Sequence, residues 1–148
     1  MNEVVVFSER ICEFLHLKSL TPKTLAQALD VTHATALNFK NGKCFPSTNT
    51  LIKAADYFQC SCDYLLGLTD DYPENHNYQP ATDNFCSRFR ELLKECKISQ
   101  YQLTNKYGIS GSLVYKWLNA KTYPSVANLI RIARILNQPV DYILGREE

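Results

Sequence analysis

The sequence predicts an all-α fold built as two tandem copies of one five-helix unit, and three observations predict it. The first is an internal repeat. Sliding the chain by 78 positions aligns Phe7 through Gly67 with Phe85 through Gly145 without a gap. About a quarter of the aligned positions are identical, among them Arg10 with Arg88, Leu25 with Leu103, and Asp63-Tyr64 with Asp141-Tyr142. The second is apolar spacing of helical period in both copies. The third is a helix-capping residue ahead of most helical segments, with no strand-like alternation to compete.

Each element follows in order. Phe7, Ile11, Phe14 and Leu15 fall at i, i+4, i+7 and i+8, one face of a helix, and Phe85, Phe89, Leu92 and Leu93 repeat the pattern. Thr21 before Pro22 is a helix start, a cap followed by a residue whose missing N–H is not needed there. Ser99 takes that place in copy two. The short second helix is anchored by Leu25 and Leu29, or by Leu103 and Tyr107, and stops at Asp30 or Gly108. Thr32 and Ser110 cap a third helix, running from about His33 to Lys40 and from about Gly111 to Leu118. Ala36 with Phe39, and Val114 with Trp117, face inward. Asn41-Gly42 closes the third helix with a left-handed cap. Ala120 replaces that glycine, which predicts either a different turn or mild strain. Fourth helices start after Ser47 and Ser125. Fifth helices hold Asp63 to Leu66 and Asp141 to Leu144, each ended by glycine.

The domains read as 1–68 and 84–148, joined by 69–83. That joining segment, TDDYPENHNYQPATD, is acidic and carries Pro73 and Pro80. It reads as a linker, or as an ordered strap packed through Tyr72 and Tyr78.

Bulk composition bounds the function. With 45% apolar and 21% charged residues in 148, the chain reads as soluble and globular rather than disordered. No apolar run approaches the roughly 18 residues of a membrane span. Val4 to Phe7 lack the flanks of a signal peptide, and the expected location is cytoplasmic. The six cysteines lack the paired spacing of a zinc site, so they read as reduced structural thiols, with no metal and no cofactor expected. Charge is unevenly placed. Residues 1–74 hold six Lys/Arg against nine Asp/Glu, a net of −3, and residues 83–148 hold ten against six, a net of +4. Copy two therefore suits a polyanion better.

Two short capped helices joined by a tight turn make a helix-turn-helix. The string TPKTLAQALDVTHATALNFKNGKCFPSTNTLIKAADYFQCSCDYLLG, and its counterpart SQYQLTNKYGISGSLVYKWLNAKTYPSVANLIRIARILNQPVDYILG, resemble the Cro/CI-type (lambda-repressor-like, Xre-type) family. The resemblance covers about four fifths of the chain. It departs at the family's interior arginine–glutamate pair, whose positions are Leu15 and Lys40 in copy one and Leu93 and Leu118 in copy two. Leucine at both places is expected to pack as an apolar pair, which needs no desolvation of charge.

The resemblance implies a transcriptional regulator that binds double-stranded DNA through the major groove with its third helix. It places His33, Ala34 and Asn38 of copy one, and Gly111, Ser112 and Lys116 of copy two, toward base edges, with Thr35, Ser110 and Tyr115 as further DNA-binding candidates. Lysine can donate to guanine O6 or N7, and asparagine can pair with adenine. Gln100, Asn41, Lys43, Asn119 and Lys121 are expected at phosphates, which fix register rather than sequence. Half-sites lie about 34–36 Å apart, and a 15-residue linker can span at most roughly 50 Å, so one chain can reach two half-sites. Copy one can equally pair with a second copy of the chain or another protein. The rival reading is therefore a protein-interaction module, favoured by weak charge in copy one and by Leu37, Leu113 and Tyr115. An enzyme is not expected, since only His16, His33 and His76 offer imidazoles and no phosphate loop appears.

Overall fold

A computed structural model describes residues 3–71 and 78–147. The chain divides into two compact units, Met1–Tyr78 and Gln79–Glu148. Unit 1 holds α1 (Glu3–Leu17), α2 (Pro22–Leu29), α3 (His33–Lys40), α4 (Thr48–Phe58) and α5 (Cys62–Leu65). Unit 2 holds α6 (Phe85–Cys96), α7 (Gln100–Asn105), α8 (Gly111–Asn119), α9 (Val126–Leu136) and α10 (Val140–Ile143). The described residues contain no strand.

The expected caps are in place. Thr21, Thr32 and Ser47 each accept a bond from the backbone N–H three residues on, at 3.2, 3.1 and 3.2 Å. Ser99, Ser110 and Ser125 do the same in unit 2, and Gln102 closes a reciprocal capping box on Ser99. Each cap satisfies a donor that the first helical turn leaves open, worth about 1 kcal/mol.

The two copies differ where the sequence differs. In unit 2, Asn84 caps α6 and fixes its start. Val6 occupies the aligned place and cannot cap, so α1 runs back to Glu3 and includes Val4 to Val6. Helix α7 ends at Asn105, which leaves Tyr107 in the turn beyond it rather than on the helix. The fifth helices begin one residue before the expected aspartates. Ala120 leaves the helical path in an extended conformation, φ −109° and ψ 144°. The turn after α8 is thus different from the one at Gly42, φ 70°, and unstrained.

Both ends of the segment read as a linker are bonded to a unit. Arg10 pairs with Asp70 at 3.0 Å in unit 1. In unit 2, the Gln79 and Thr82 N–H groups donate to the Arg146 and Leu144 carbonyls, each at 2.8 Å. The Tyr123 hydroxyl donates to the Thr82 carbonyl, and burial pushes the Tyr123 pKa up. Tyr78 is half-buried; Tyr72, Pro73 and His76 lie outside the described residues.

The cores are aromatic in different ways. Phe7 meets Phe39 edge-on at 5.9 Å, and Phe14 stacks on Phe58 at 4.5 Å. In unit 2 the larger Trp117 meets Phe89 edge-on at 5.8 Å. Ala36, Phe39, Val114 and Trp117 are all buried, which fixes the inner faces of α3 and α8. Leu93 is buried and Leu118 half-buried. The cysteines are free thiols, with Cys60 and Cys62 buried.

Left-handed backbone recurs at aligned positions: Ser19 with Lys97, Asp30 with Gly108, Gln59 with Asn137, and Gly67 with Gly145. The last pair yields a stability prediction. At Gly67, φ 74°, an added methyl group would overlap Val6, whose own Cβ lies 2.9 Å away. At Gly145, φ 78°, the nearest atom is 3.7 Å away. The left-handed strain of a Cβ is about 1–2 kcal/mol at either site, and overpacking adds about 1–3 kcal/mol at Gly67 alone. Gly67→Ala should therefore destabilise unit 1 by more than Gly145→Ala destabilises unit 2. Hydrogen exchange of core amides in each unit checks this, and equal losses would refute it.

Candidate nucleic-acid interface

The turn between the second and third helices positions the candidate face. In unit 2 it bends through Gly108, φ 69°, and Arg131 of α9 reaches its carbonyls at Tyr107 and Gly108, at 3.5 and 3.4 Å. In unit 1 it bends through Asp30, φ 55°. An exposed carboxylate thus sits three residues before His33, where unit 2 has no charge.

On α8, burial of Val114 and Trp117 forces Ser112, Tyr115 and Lys116 outward, and all three are exposed. Tyr115 keeps 66% of its surface in water. Ser110 is exposed too, but its hydroxyl caps α8 and lies 3.4 Å from that of Ser112. On α3, His33 is exposed and Asn38 half-buried. Thr35 is half-buried, its hydroxyl 2.8 Å from that of Thr32. Its hydroxyl is therefore shared with the cap, which leaves it less for a base.

The flanking residues separate into two groups. Gln100, Lys121, Asn41 and Lys43 are exposed, Gln100 at the first position of α7. Asn119 is exposed but occupied: it accepts from Arg90 at 3.2 Å and donates to the Tyr115 carbonyl at 2.8 Å. Arg90 also donates to the Leu118 carbonyl at 2.8 Å. The aligned Cys12 makes a longer contact, 3.6 Å, to the Lys40 carbonyl. Arg90 and Asn119 together brace α6 against the end of α8, a role that needs two helices and is invisible in either one's pattern.

Several cations counted in favour of unit 2 are likewise occupied. Arg88 lies over the Tyr142 ring at 4.7 Å, donates to the Tyr142 carbonyl and pairs with Glu91 at 3.9 Å. Arg10 repeats this over Tyr64 at 4.0 Å. Arg146 is fully buried against Asp141. The two tyrosines are packing residues whose hydroxyls donate to Glu13 and Glu95. Burial pushes the Tyr64 pKa up, and the hydrogen bond to Glu95 does the same for Tyr142, so both stay protonated at neutral pH. The exposed cations left to unit 2 are chiefly lysines, Lys94, Lys97, Lys116 and Lys121, while Lys106 lies over the Tyr107 ring at 5.3 Å. Tyr101, 74% exposed on α7 beside Gln100, is a further candidate that sequence reasoning passed over. The signal for it was a large ring at the position of Lys23, on a helix whose inward residue is Leu103.

A helical unit with a capped, outward-facing third helix defines a helix-turn-helix protein, and comparison with known families agrees for each copy. Residues 10–71 match the Cro/C1-type HTH DNA-binding domain, and residues 89–143 match the helix-turn-helix family. The two matches, at distinct positions, are consistent with two tandem Cro/CI-type helix-turn-helix copies. It is 36% identical over 61 residues to an uncharacterised HTH-type transcriptional regulator, YobD, of Bacillus subtilis (strain 168). That match covers 41% of this chain and 54% of the relative, so the chain matches about half of that protein's length. No solved structure matches the chain. No helix among the described residues is long and apolar enough to cross a membrane.

Proposed function

We propose that the protein is a sequence-specific double-stranded DNA-binding transcriptional regulator, with α8 and α3 as major-groove readers and unit 2 the stronger binder. The observation that carries this is the outer face of α8, where Ser112, Tyr115 and Lys116 stand exposed against buried Val114 and Trp117. Polar side chains at the start of such a helix can reach base edges, and a lysine there can donate to guanine. Gln100 and Lys121 flank the face as phosphate contacts, and the N-terminus of α7 favours an anion. Asn119 acts through the loop it braces. In unit 1, His33 and Asn38 are the base-reading candidates and Asn41 and Lys43 the phosphate contacts. Asp30 opposes them.

Titration of duplex DNA at 50 and 200 mM salt tests the reading. A groove binder that neutralises several phosphates loses affinity steeply, with a log–log slope of about −0.9 per phosphate. A flat salt response, or no binding at low salt, favours the rival in which these units bind protein partners or a second copy of the chain.

A further inference from the structure

We propose that unit 1 carries a binding site for a small organic carboxylate, in a cleft whose aligned corner in unit 2 is crossed by Arg90. The cleft is open to solvent and holds about 430 Å³ between the end of α1, the start of α2 and the end of α3. Ligand sites are commonly about 300–1,000 Å³, mostly apolar with a few polar groups. Leu15, Leu20 and Pro22 supply the apolar wall, and His16, Ser19 and Lys40 the polar rim. Among the described residues no carboxylate lines it: Glu9 and Glu13 of the same helix are not part of its wall. Glu13 is turned toward Arg10 and Tyr64 instead. An ammonium, a hydroxyl and an imidazole around an apolar floor match a ligand with one anionic end and one apolar end.

The internal repeat explains why the cleft exists. Cys12 lines it. The aligned residue in unit 2 is Arg90, whose guanidinium lies across the corresponding corner to reach the Leu118 carbonyl and Asn119. Lys40 aligns with Leu118, which carries no charge, and Pro22 with Gln100. Pro22 has no N–H and no amide side chain, so unit 1 cannot make the phosphate contact proposed for Gln100. At this corner unit 1 exchanges a nucleic-acid contact for a hollow with a cation beside it. The cleft joins both helices of the helix-turn-helix, so an occupant would bias the geometry of α3. The site itself does not rest on DNA binding.

The test uses the full chain without DNA. Benzoate, neutral benzamide and inorganic phosphate are titrated while backbone amide resonances are followed. Benzoate should shift the amides of Leu15, Ser19, Leu20 and Lys40, and benzamide and phosphate should each bind at least about tenfold more weakly. Cys12→Arg and Lys40→Leu borrow the residues that unit 2 already accommodates. Each should lower benzoate affinity at least about tenfold while helical circular dichroism is unchanged. Benzoate should also slow alkylation of Cys12 by iodoacetamide without slowing that of exposed Cys44. Benzoate binding unaltered in both variants would overturn the proposal. So would equal binding of benzamide, or of phosphate, which would mark a nonselective surface.

Discussion

Arg146→Leu should destabilise unit 2 by about 3–5 kcal/mol, the usual cost of stranding one member of a buried ion pair. Arg146 and Asp141 are both fully buried, and the guanidinium bonds the carboxylate directly. Asp141 also lies in the first turn of the last helix, and the Arg146 N–H donates to its carbonyl at 2.8 Å. Removing the guanidinium takes away the cation that Asp141 bonds in a site closed to water. Unit 1 makes the comparison informative, because its aligned positions are Asp63 and Leu68. Asp63 remains 8% exposed, whereas Asp141 has no exposure at all. Leucine is thus tolerated beside the aspartate only where the packing was built for it. Asp141→Asn added to Arg146→Leu should recover part of the loss, since the uncompensated charge is gone. Denaturant unfolding read by tryptophan fluorescence checks both variants. The chain has one tryptophan, Trp117, and it is buried in unit 2, so the signal reports that unit alone. A shift below about 1 kcal/mol for Arg146→Leu would show that Asp141 is solvated in place.

The helices and their starts were legible because their causes are local. Threonine or serine three residues ahead of a backbone donor caps a helix whatever else surrounds it, and Thr21, Thr32, Ser47, Ser99, Ser110 and Ser125 all do so. Apolar spacing placed Ala36, Phe39, Val114 and Trp117 inside for the same reason. The left-handed residues were less legible. Ser19, Gln59 and Lys97 adopt φ of 52°, 55° and 57° without being glycine. The repeated fold holds them there, and a cost of about 1–2 kcal/mol each is offset by packing that no local pattern reveals. The interface was half legible. Outward placement of Ser112 and Lys116 follows from helical period. The occupation of Asn119 by Arg90 joins residues on two helices, and that of Arg88 by Tyr142 joins the first helix of the unit to its last. A charge count could not see either.

That distinction between occupied and exposed cations carries the second large expectation. Lys116→Glu with Lys121→Glu in the full chain should weaken duplex binding by at least about a hundredfold at low salt, because the proposed base contact and the proposed phosphate contact are replaced by repulsion. The log–log salt slope should flatten by about 0.9 for each phosphate that is no longer neutralised. The matching pair in unit 1, Asn38→Glu with Lys43→Glu, should cost less. Asp30 already lowers the potential near α3, and Pro22 cannot make the phosphate contact proposed for Gln100. Arginines give the control. Arg88→Gln should disturb stability more than binding, because its guanidinium faces Tyr142 and Glu91. Fluorescence anisotropy with one labelled duplex, repeated across salt, separates these cases. Equal weakening by the two charge-reversed pairs would place the units on a par, and a larger effect of Arg88→Gln than of the lysine pair would move the DNA-binding surface away from α8.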